Sequence, residues 1–160
     1  MIEVVQNPLM IDYLKVALAL PKDEQEQIEA MTGEPFDVDG CAVGNFQVPG
    51  YKWAIKIGHD PLVIGGFVQE RRGVWRDYLL TTPQAWEHWF PVTRICRRIM
   101  DAMLISGEAH RLECITPANR IASRPEIEKW YKVLSYKKEA TLRGYCANGA
   151  DAFVYSRVAH

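Results

Sequence analysis

The longest regular series of apolar positions in the chain lies between Pro91 and Ser106. Apolar residues recur there at intervals of three and four, which is the spacing of one face of an α-helix. The members of the series are Val92, Ile95, Cys96, Ile99, Met100, Met103 and Leu104. We predict a helix over this segment in which Ile95, Ile99 and Met103 are almost fully buried.

Short apolar runs separated by turn residues fill the middle of the chain. They predict three strands, over 51–57, 62–69 and 74–80, because runs of this length bounded by turns are typical of strands. The turns are His59-Asp60-Pro61 and Arg71-Arg72-Gly73, and they are tight enough to make the three strands an antiparallel meander.

The N-terminal third of the chain has weaker signals. A β-branched stretch at 2–5 predicts a strand, and Asn7-Pro8 predicts the start of a helix. The buried face of that helix is predicted to carry Ile11, Leu14 and Leu18. A second, more polar helix is predicted over 23–31 with its end at Gly33. Residues 34–50 are the least regular part of the chain.

After the long helix the chain alternates strand and helix again. We predict a strand over 112–115 and a helix that begins with a capping box from Ser123 to Glu126. The buried side of that helix is predicted to be Ile127, Trp130, Tyr131 and Leu134. Asn148-Gly149 predicts a type I′ hairpin turn between arms at 140–146 and 152–158.

Composition narrows the class of protein without naming it. A length of 160 residues suits one domain, over 1–160, with a core of its own. A formal net charge of -1 gives no electrostatic case for binding nucleic acid, and no apolar run is long enough to span a membrane. The N-terminus lacks the pattern of a secretion signal, and four scattered cysteines do not form a metal-binding motif. We therefore expect no metal and a cytoplasmic-type protein.

The order of predicted elements, taken with motifs in the C-terminal half, resembles the GNAT superfamily of N-acetyltransferases. Asn119-Arg-Ile-Ala122 fits the N-x-x-A segment that follows the strand after the central helix in these proteins. Tyr131 leads the next helix as in the family, and Ser135-Tyr136 stands where Gly-Phe usually stands. The resemblance implies an α+β fold with a mixed, mostly antiparallel sheet flanked by helices.

Within the superfamily the sequence looks nearest to the acetyltransferase-like proteins of podovirus-type bacteriophages, the internal virion protein A family. The shared features are a Gly-Gly strand, an aromatic-rich strand, an Arg/Lys-rich helix and a closing hairpin that contains glycine. This likeness implies a phage source, and hence a location in the host cytoplasm or the virion.

The resemblance also implies a binding site for acetyl-CoA. The strand end at Leu79, Leu80 and Thr81 corresponds to the backbone that bonds the cofactor's amides in GNAT enzymes. The family binds the pyrophosphate on a glycine-rich loop before the central helix, but the matching segment, 88–93, has no glycine, and its proline lacks an N–H group. The remaining candidate contacts there are Val92, Thr93 and Arg94.

Several further residues have both a functional and a structural interpretation. Asn119 would bind the pantetheine arm or cap a turn, and Tyr131 would protonate the departing thiolate or simply pack in the core. Asp77 and Glu70 are the nearest carboxylates that could act as the general base, although carboxylates at strand ends are commonly just solvated.

The sequence therefore leaves two functions open. The first is an acyl-CoA-dependent N-acetyltransferase of unknown amine substrate, with weak acetyl-CoA binding because its pyrophosphate loop is degenerate. The second is a non-catalytic phage structural protein that uses the same scaffold for protein interaction. The aromatic cluster Trp86, Trp89 and Phe90 fits either function, as the floor of a pantetheine groove or as a contact patch for another protein.

Overall fold

The fold is built on one mixed sheet of seven strands. The computed structural model describes residues Met1–His160. Its strands are β1 (Ile2–Gln6), β2 (Tyr51–Ile57), β3 (Asp60–Arg71), β4 (Val74–Thr81), β5 (Arg111–Pro117), β6 (Lys137–Leu142) and β7 (Ala152–Val158). They lie in the order β1-β2-β3-β4-β5-β7-β6, and every neighbouring pair is antiparallel except β4 and β5. The predicted α+β class with a mostly antiparallel sheet is confirmed.

Six α-helices flank the sheet. They are α1 (Met10–Ala19), α2 (Lys22–Thr32), α3 (Val38–Gln47), α4 (Trp89–Ile105), α5 (Ala118–Ser123) and α6 (Glu126–Val133), and a short 3-10 helix over Pro83–His88 leads into α4. One core cluster lies on the sheet face that α4 covers, and a second lies on the face that α1 and α3 cover. The predicted meander of β2, β3 and β4 and the predicted long helix are both confirmed.

The first helix begins later than predicted and buries a different face. Asn7 has a φ of 52° and lies outside the helix, which starts at Met10. Asp12 is buried because its carboxylate accepts the Leu9 N–H and pairs with Lys56 at 2.9 Å. This pair turns the polar residue inward, so that Ile11 and Leu18, both predicted on the apolar face, are 52% and 72% exposed.

Two further predictions about local structure are wrong. The segment predicted to be irregular contains α3, whose N-terminus is capped by the Asp37 carboxylate accepting the Gly40 N–H at 2.7 Å. Ser123 does not cap α6, since its hydroxyl donates to the Arg120 carbonyl at the end of α5.

The last hairpin is also wider than a type I′ turn allows. Its strands end at Leu142 and begin again at Ala152, and the intervening loop is held by the Gly144 N–H donating to Asp151 at 2.8 Å. Gly144 and Gly149 both have positive φ values, so the reversal is spread over several residues.

The buried face of α4 is rotated relative to the prediction. Val92, Cys96 and Met100 are at most 1% exposed, whereas Ile95 and Ile99 are only half-buried at the border of the face. The apolar series spans seven positions, so spacing alone left its centre ambiguous. Packing against the sheet buries Val92, Cys96 and Met100 at the centre of this face and leaves Ile95 and Ile99 at its border.

We expect Met100→Ala to lower the free energy of unfolding by about 2–5 kcal/mol, because it leaves a cavity in a closed part of the core. Ile99→Ala should cost clearly less, since its neighbours and solvent can fill part of the space. Urea unfolding of the two variants measures the difference, and a larger loss for Ile99→Ala would mean that the buried face is assigned wrongly.

Candidate active site

A cleft opens where β4 and β5 stop pairing. Their parallel register covers three residue pairs and ends at Arg76 and Glu113, after which the strands separate. The cavity between them has a volume of about 360 Å³. The residues that line it and bear on its chemistry are Glu24, Asp77, Leu79, Leu80, Thr81, Trp86, Trp89, Cys114, Thr116, Arg120, Trp130 and Tyr131.

The end of β4 presents backbone groups to this cleft. The Thr81 N–H points away from β3, whereas the Thr82 N–H donates to the β3 residue Leu62 at 2.9 Å. Backbone groups alternate in direction along a strand, so the amide of Leu79 faces the cleft and that of Leu80 faces β3. Of the three residues predicted from the sequence to contact the cofactor through their backbone, Leu79 is therefore the one whose N–H group faces the cleft and is open to a ligand.

The third position, Thr81, is taken by a carboxylate of the chain itself. Glu24 of α2 accepts the Thr81 N–H at 3.1 Å and also the Thr81 hydroxyl, and Arg120 lies 3.7 Å away. Burial raises the pKa of Glu24 to about 6, although the bonds from Thr81 and the nearby Arg120 oppose the rise. The sequence gives no signal for this role, because α2 holds several acidic residues in similar settings.

Asp77 lies in the middle of β4 and opens on the cleft. Asp77 as a whole residue is half-buried, and its Oδ2 atom accepts a hydrogen bond from the Tyr136 hydroxyl. Burial raises the pKa of Asp77 to about 7, with the Tyr136 bond and the charge of Arg157 acting in the opposite direction. A carboxyl with a pKa near neutrality can both accept and release a proton, which is what a general base needs.

Tyr131 of α6 lines the opposite side of the cleft. Its hydroxyl is 2.8 Å from the Thr116 hydroxyl, and its ring packs edge-on against Tyr155 at 4.7 Å. Burial raises the pKa of Tyr131 well above its ordinary value, so the hydroxyl stays protonated. Both predicted roles of Tyr131, as a proton donor and as a core residue, are compatible with its position. Its ring packs in the core, and the residue also borders the cavity.

The predicted site residues Glu70 and Asn119 lie outside the cleft. Glu70, near the end of β3, forms an ion pair with Arg76 in which Nε and Oε1 are 2.6 Å apart, and it does not line the cavity. Asn119 is exposed on α5, in a separate polar hollow that it shares with Gln27 and Asn148. The structure therefore brings Asp77 and Tyr131 together at the cleft, but not Glu70 or Asn119.

Aromatic rings occupy the N-terminal end of α4. Trp86 and Trp89 stack with their centroids 4.0 Å apart, and Trp130 of α6 continues the stack 4.8 Å from Trp89. The Trp130 indole N–H donates to the Thr93 hydroxyl at 3.0 Å. Since the 3-10 helix runs straight into α4, no open loop of backbone N–H groups remains there.

The predicted pyrophosphate contacts are therefore altered. Val92 is fully buried in the core, and the hydroxyl of Thr93 is engaged by an indole. Arg94 is exposed and makes no ion pair, so its guanidinium is available at the start of the helix. Phe90 projects into solvent with 84% of its surface exposed.

These features fit one half of an acyl-CoA molecule better than the other. The apolar walls and the open Leu79 amide suit an extended pantetheine thioester, which carries amides and alkyl groups. The aromatic stack offers no cradle of backbone donors for a pyrophosphate, which such sites require. No group of three or more metal-ligating side chains is placed to hold a metal ion, and none of the helices is both long and apolar enough to traverse a bilayer.

Solved structures match the chain over almost its whole length. The GNAT-family acetyltransferase from Streptococcus pneumoniae has a TM-score of 0.69 at 11% identity and covers 100% of both chains. The GNAT-family acetyltransferase from Bacillus anthracis has a TM-score of 0.71 at 8% identity, covering 98% of this chain and 94% of its own. The ribosomal L7/L12 α-N-protein acetyltransferase, in complex with coenzyme A, has a TM-score of 0.72 at 8% identity, covering 99% and 94%.

No protein-family model matches the sequence, and no curated protein matches it significantly. The structural matches show that the protein has the GNAT acetyltransferase fold. Sequence identities of 8–11% to those structures establish the fold alone.

We expect Asp77→Asn to flatten the pH dependence of stability between about pH 4 and 7. The pKa of Asp77 is higher in the folded protein than its ordinary value of 3.8, at about 7. The folded state then binds more protons, so the wild type should lose more stability than the variant as pH rises through this window, because the contribution of Glu24 is common to both proteins. Urea unfolding at pH 4.5 and pH 8 measures the slope, and equal slopes for both proteins would contradict the assignment.

Proposed function

We propose that residues 1–160 form a single acyltransferase domain that moves an acyl group from a pantetheine thioester, such as acetyl-CoA, to an amine. The main support is that three residues line one cleft in a GNAT fold: Asp77 with a carboxyl, Tyr131 with a hydroxyl and Leu79 with a backbone amide. The carboxyl of Asp77 has a pKa of about 7 and can accept a proton, the Tyr131 hydroxyl stays protonated, and the Leu79 N–H faces the cleft.

The proposed roles divide the proton transfers between the two sides of the cleft. A bound acyl-CoA would supply the thioester carbonyl. Asp77 takes the proton from the incoming ammonium group, and the Leu79 N–H stabilises the negative charge that develops on the carbonyl oxygen. Tyr131 gives its proton to the sulfur that leaves and regains one from the nitrogen, which loses its second proton as the amide forms. Asp77 releases the first proton to solvent, so the net change per turnover is one proton released.

Binding of the donor is proposed to be weak. Pyrophosphate sites draw their affinity from several backbone N–H groups, and here aromatic rings and Pro91 replace them. Charge-assisted hydrogen bonds contribute roughly 1.5–3 kcal/mol each, so losing two would cost at least about 3 kcal/mol, which is more than a hundredfold in affinity. Arg94 is proposed to supply a remaining charged contact.

A second function is favoured by the exposed aromatic side chains of the 3-10 helix and the first turn of α4. Phe90 is 84% exposed and Trp86 is 36% exposed, and large aromatic side chains at a surface often mark a protein contact. The scaffold would then serve as an interaction module without catalysis, for example in a phage particle. The structural neighbours do not support the closer likeness to phage proteins, which rests on the sequence alone.

We expect Tyr131→Phe to lower kcat for acetyl-CoA and an amine by roughly 10²–10⁴-fold, because a general acid acts in the transition state. The KM for acetyl-CoA should change little. Steady-state kinetics at millimolar acetyl-CoA measure both constants. Thr116→Val is the matched control, because it removes the same hydrogen bond but keeps the phenol.

Thr116→Val should therefore retain much more activity than Tyr131→Phe. Equal losses in the two variants would show that the hydrogen bond matters rather than the proton. Complete absence of turnover in the wild type, over a panel of acyl-CoA donors and amines, would favour the interaction module.

A further inference from the structure

The carboxyl of Asp77, the candidate base, accepts a hydrogen bond from a tyrosine that does not line the cleft. The Tyr136 hydroxyl donates to Oδ2 of Asp77, yet Tyr136 is only 2% exposed and does not line the cavity. The other carboxylate oxygen, Oδ1, accepts no hydrogen bond from the protein. One oxygen of Asp77 is therefore fixed by the fold, and the other is left for a ligand.

The backbone around Tyr136 fixes the position of its ring. Ser135 has a φ of 70°, a left-handed conformation that ends α6, and its N–H donates to Lys132 at 2.9 Å. The Tyr136 N–H donates to the Tyr131 carbonyl at 2.9 Å. The same helix end thus positions Tyr131 and Tyr136, the first at the cleft and the second behind Asp77.

The resemblance to GNAT proteins puts Gly-Phe at these two positions. The positive φ of Ser135 explains why glycine would be favoured there, since glycine adopts it without steric cost. Phenylalanine would fill the space of the Tyr136 ring but would leave Oδ2 of Asp77 without its donor. The hydroxyl, rather than the ring, is therefore the part of Tyr136 that acts on Asp77, a residue that lines the cleft.

A half-buried arginine, Arg157, lies close enough to Asp77 for its charge to act on the carboxyl. Arg157 of β7 pairs with Asp101 of α4 at 2.6 Å, and its charge also acts on Asp77 and Tyr136. Its Nη1 atom is buried without a hydrogen-bond partner. The titratable and charged groups around Asp77 are Cys96 of α4, Cys114 of β5, Tyr131 of α6, Tyr136 and Arg157.

We propose that Tyr136 is a positioning residue for the candidate base: its hydroxyl holds one oxygen of the Asp77 carboxylate and directs the other toward the acyl acceptor. This role rests on the proposed acyl transfer. A donor behind the carboxylate stabilises its ionised form and limits rotation of the group, so both the orientation and the proton affinity of Asp77 depend on it.

The test compares Tyr136→Phe with Tyr155→Phe. Tyr155→Phe is a matched control because it also removes one hydroxyl from the same core, where Tyr155 donates to Glu128 at 3.1 Å rather than to Asp77. Carbon-13 NMR of labelled aspartate follows the titration of Asp77 in each protein and needs no activity. We expect the midpoint to rise by about one pH unit in Tyr136→Phe, because the anion loses a donor, and to stay in place in Tyr155→Phe.

The pH profile of kcat/KM provides the second measurement. The acidic limb of this profile should shift to higher pH in Tyr136→Phe, by the same amount as the midpoint of the Asp77 titration. The KM for the thioester should stay unchanged. An unmoved titration in Tyr136→Phe, or an equal shift in Tyr155→Phe, would overturn the positioning role. If no acyl donor supports turnover by the wild type, the proposed function fails and the catalytic use of the contact fails with it, whatever the titration shows.

Discussion

The separation of β4 from β5 after three residue pairs is the feature on which the rest of the site depends. Two adjacent strands that stop pairing inside a sheet leave backbone donors in a buried place, and such groups must find other partners. Thr81 finds the carboxylate of Glu24, whereas Leu79 keeps an amide directed into the gap. The cleft is thus an interior sheet edge, suited to an extended ligand that brings its own carbonyl groups.

The same separation sets the protonation of the side chains. Asp77, Tyr131 and Glu24 all border a space walled by apolar residues, and burial raises the pKa of each. The base and the acid proposed for acyl transfer owe these properties to one cause, which is the loss of solvent around the open strands. The hydroxyl of Tyr136 and the charge of Arg157 then moderate the effect at Asp77, keeping its pKa near neutrality rather than higher.

Periodicity predicted the parts of the fold whose burial is set by long, regular patterns. The long helix α4 and the β2–β3–β4 meander belong to this class. Asp12 shows why α1 was harder: a buried ion pair with Lys56, far along the chain, reversed which face looks inward. Glu24 and Tyr136 are parts of the site for a similar reason, because their roles come from contacts with Thr81 and Asp77 that only the tertiary fold creates. Asp77 and Tyr131 could be named from the sequence because their places in the strand and helix order matched a known scaffold.

In the proposed site the cleft binds the thioester arm of the donor, while the end of α4 contributes little to binding its phosphates. Calorimetric titration with S-acetylpantetheine and with acetyl-CoA, under identical conditions, tests this most directly because the two ligands differ only in the phosphates and nucleotide. Their dissociation constants should differ by no more than about a hundredfold, because Arg94 supplies at most one charge-assisted contact of roughly 1.5–3 kcal/mol. An affinity for acetyl-CoA more than about a hundredfold higher would show that the helix end still binds the pyrophosphate, and would contradict the account.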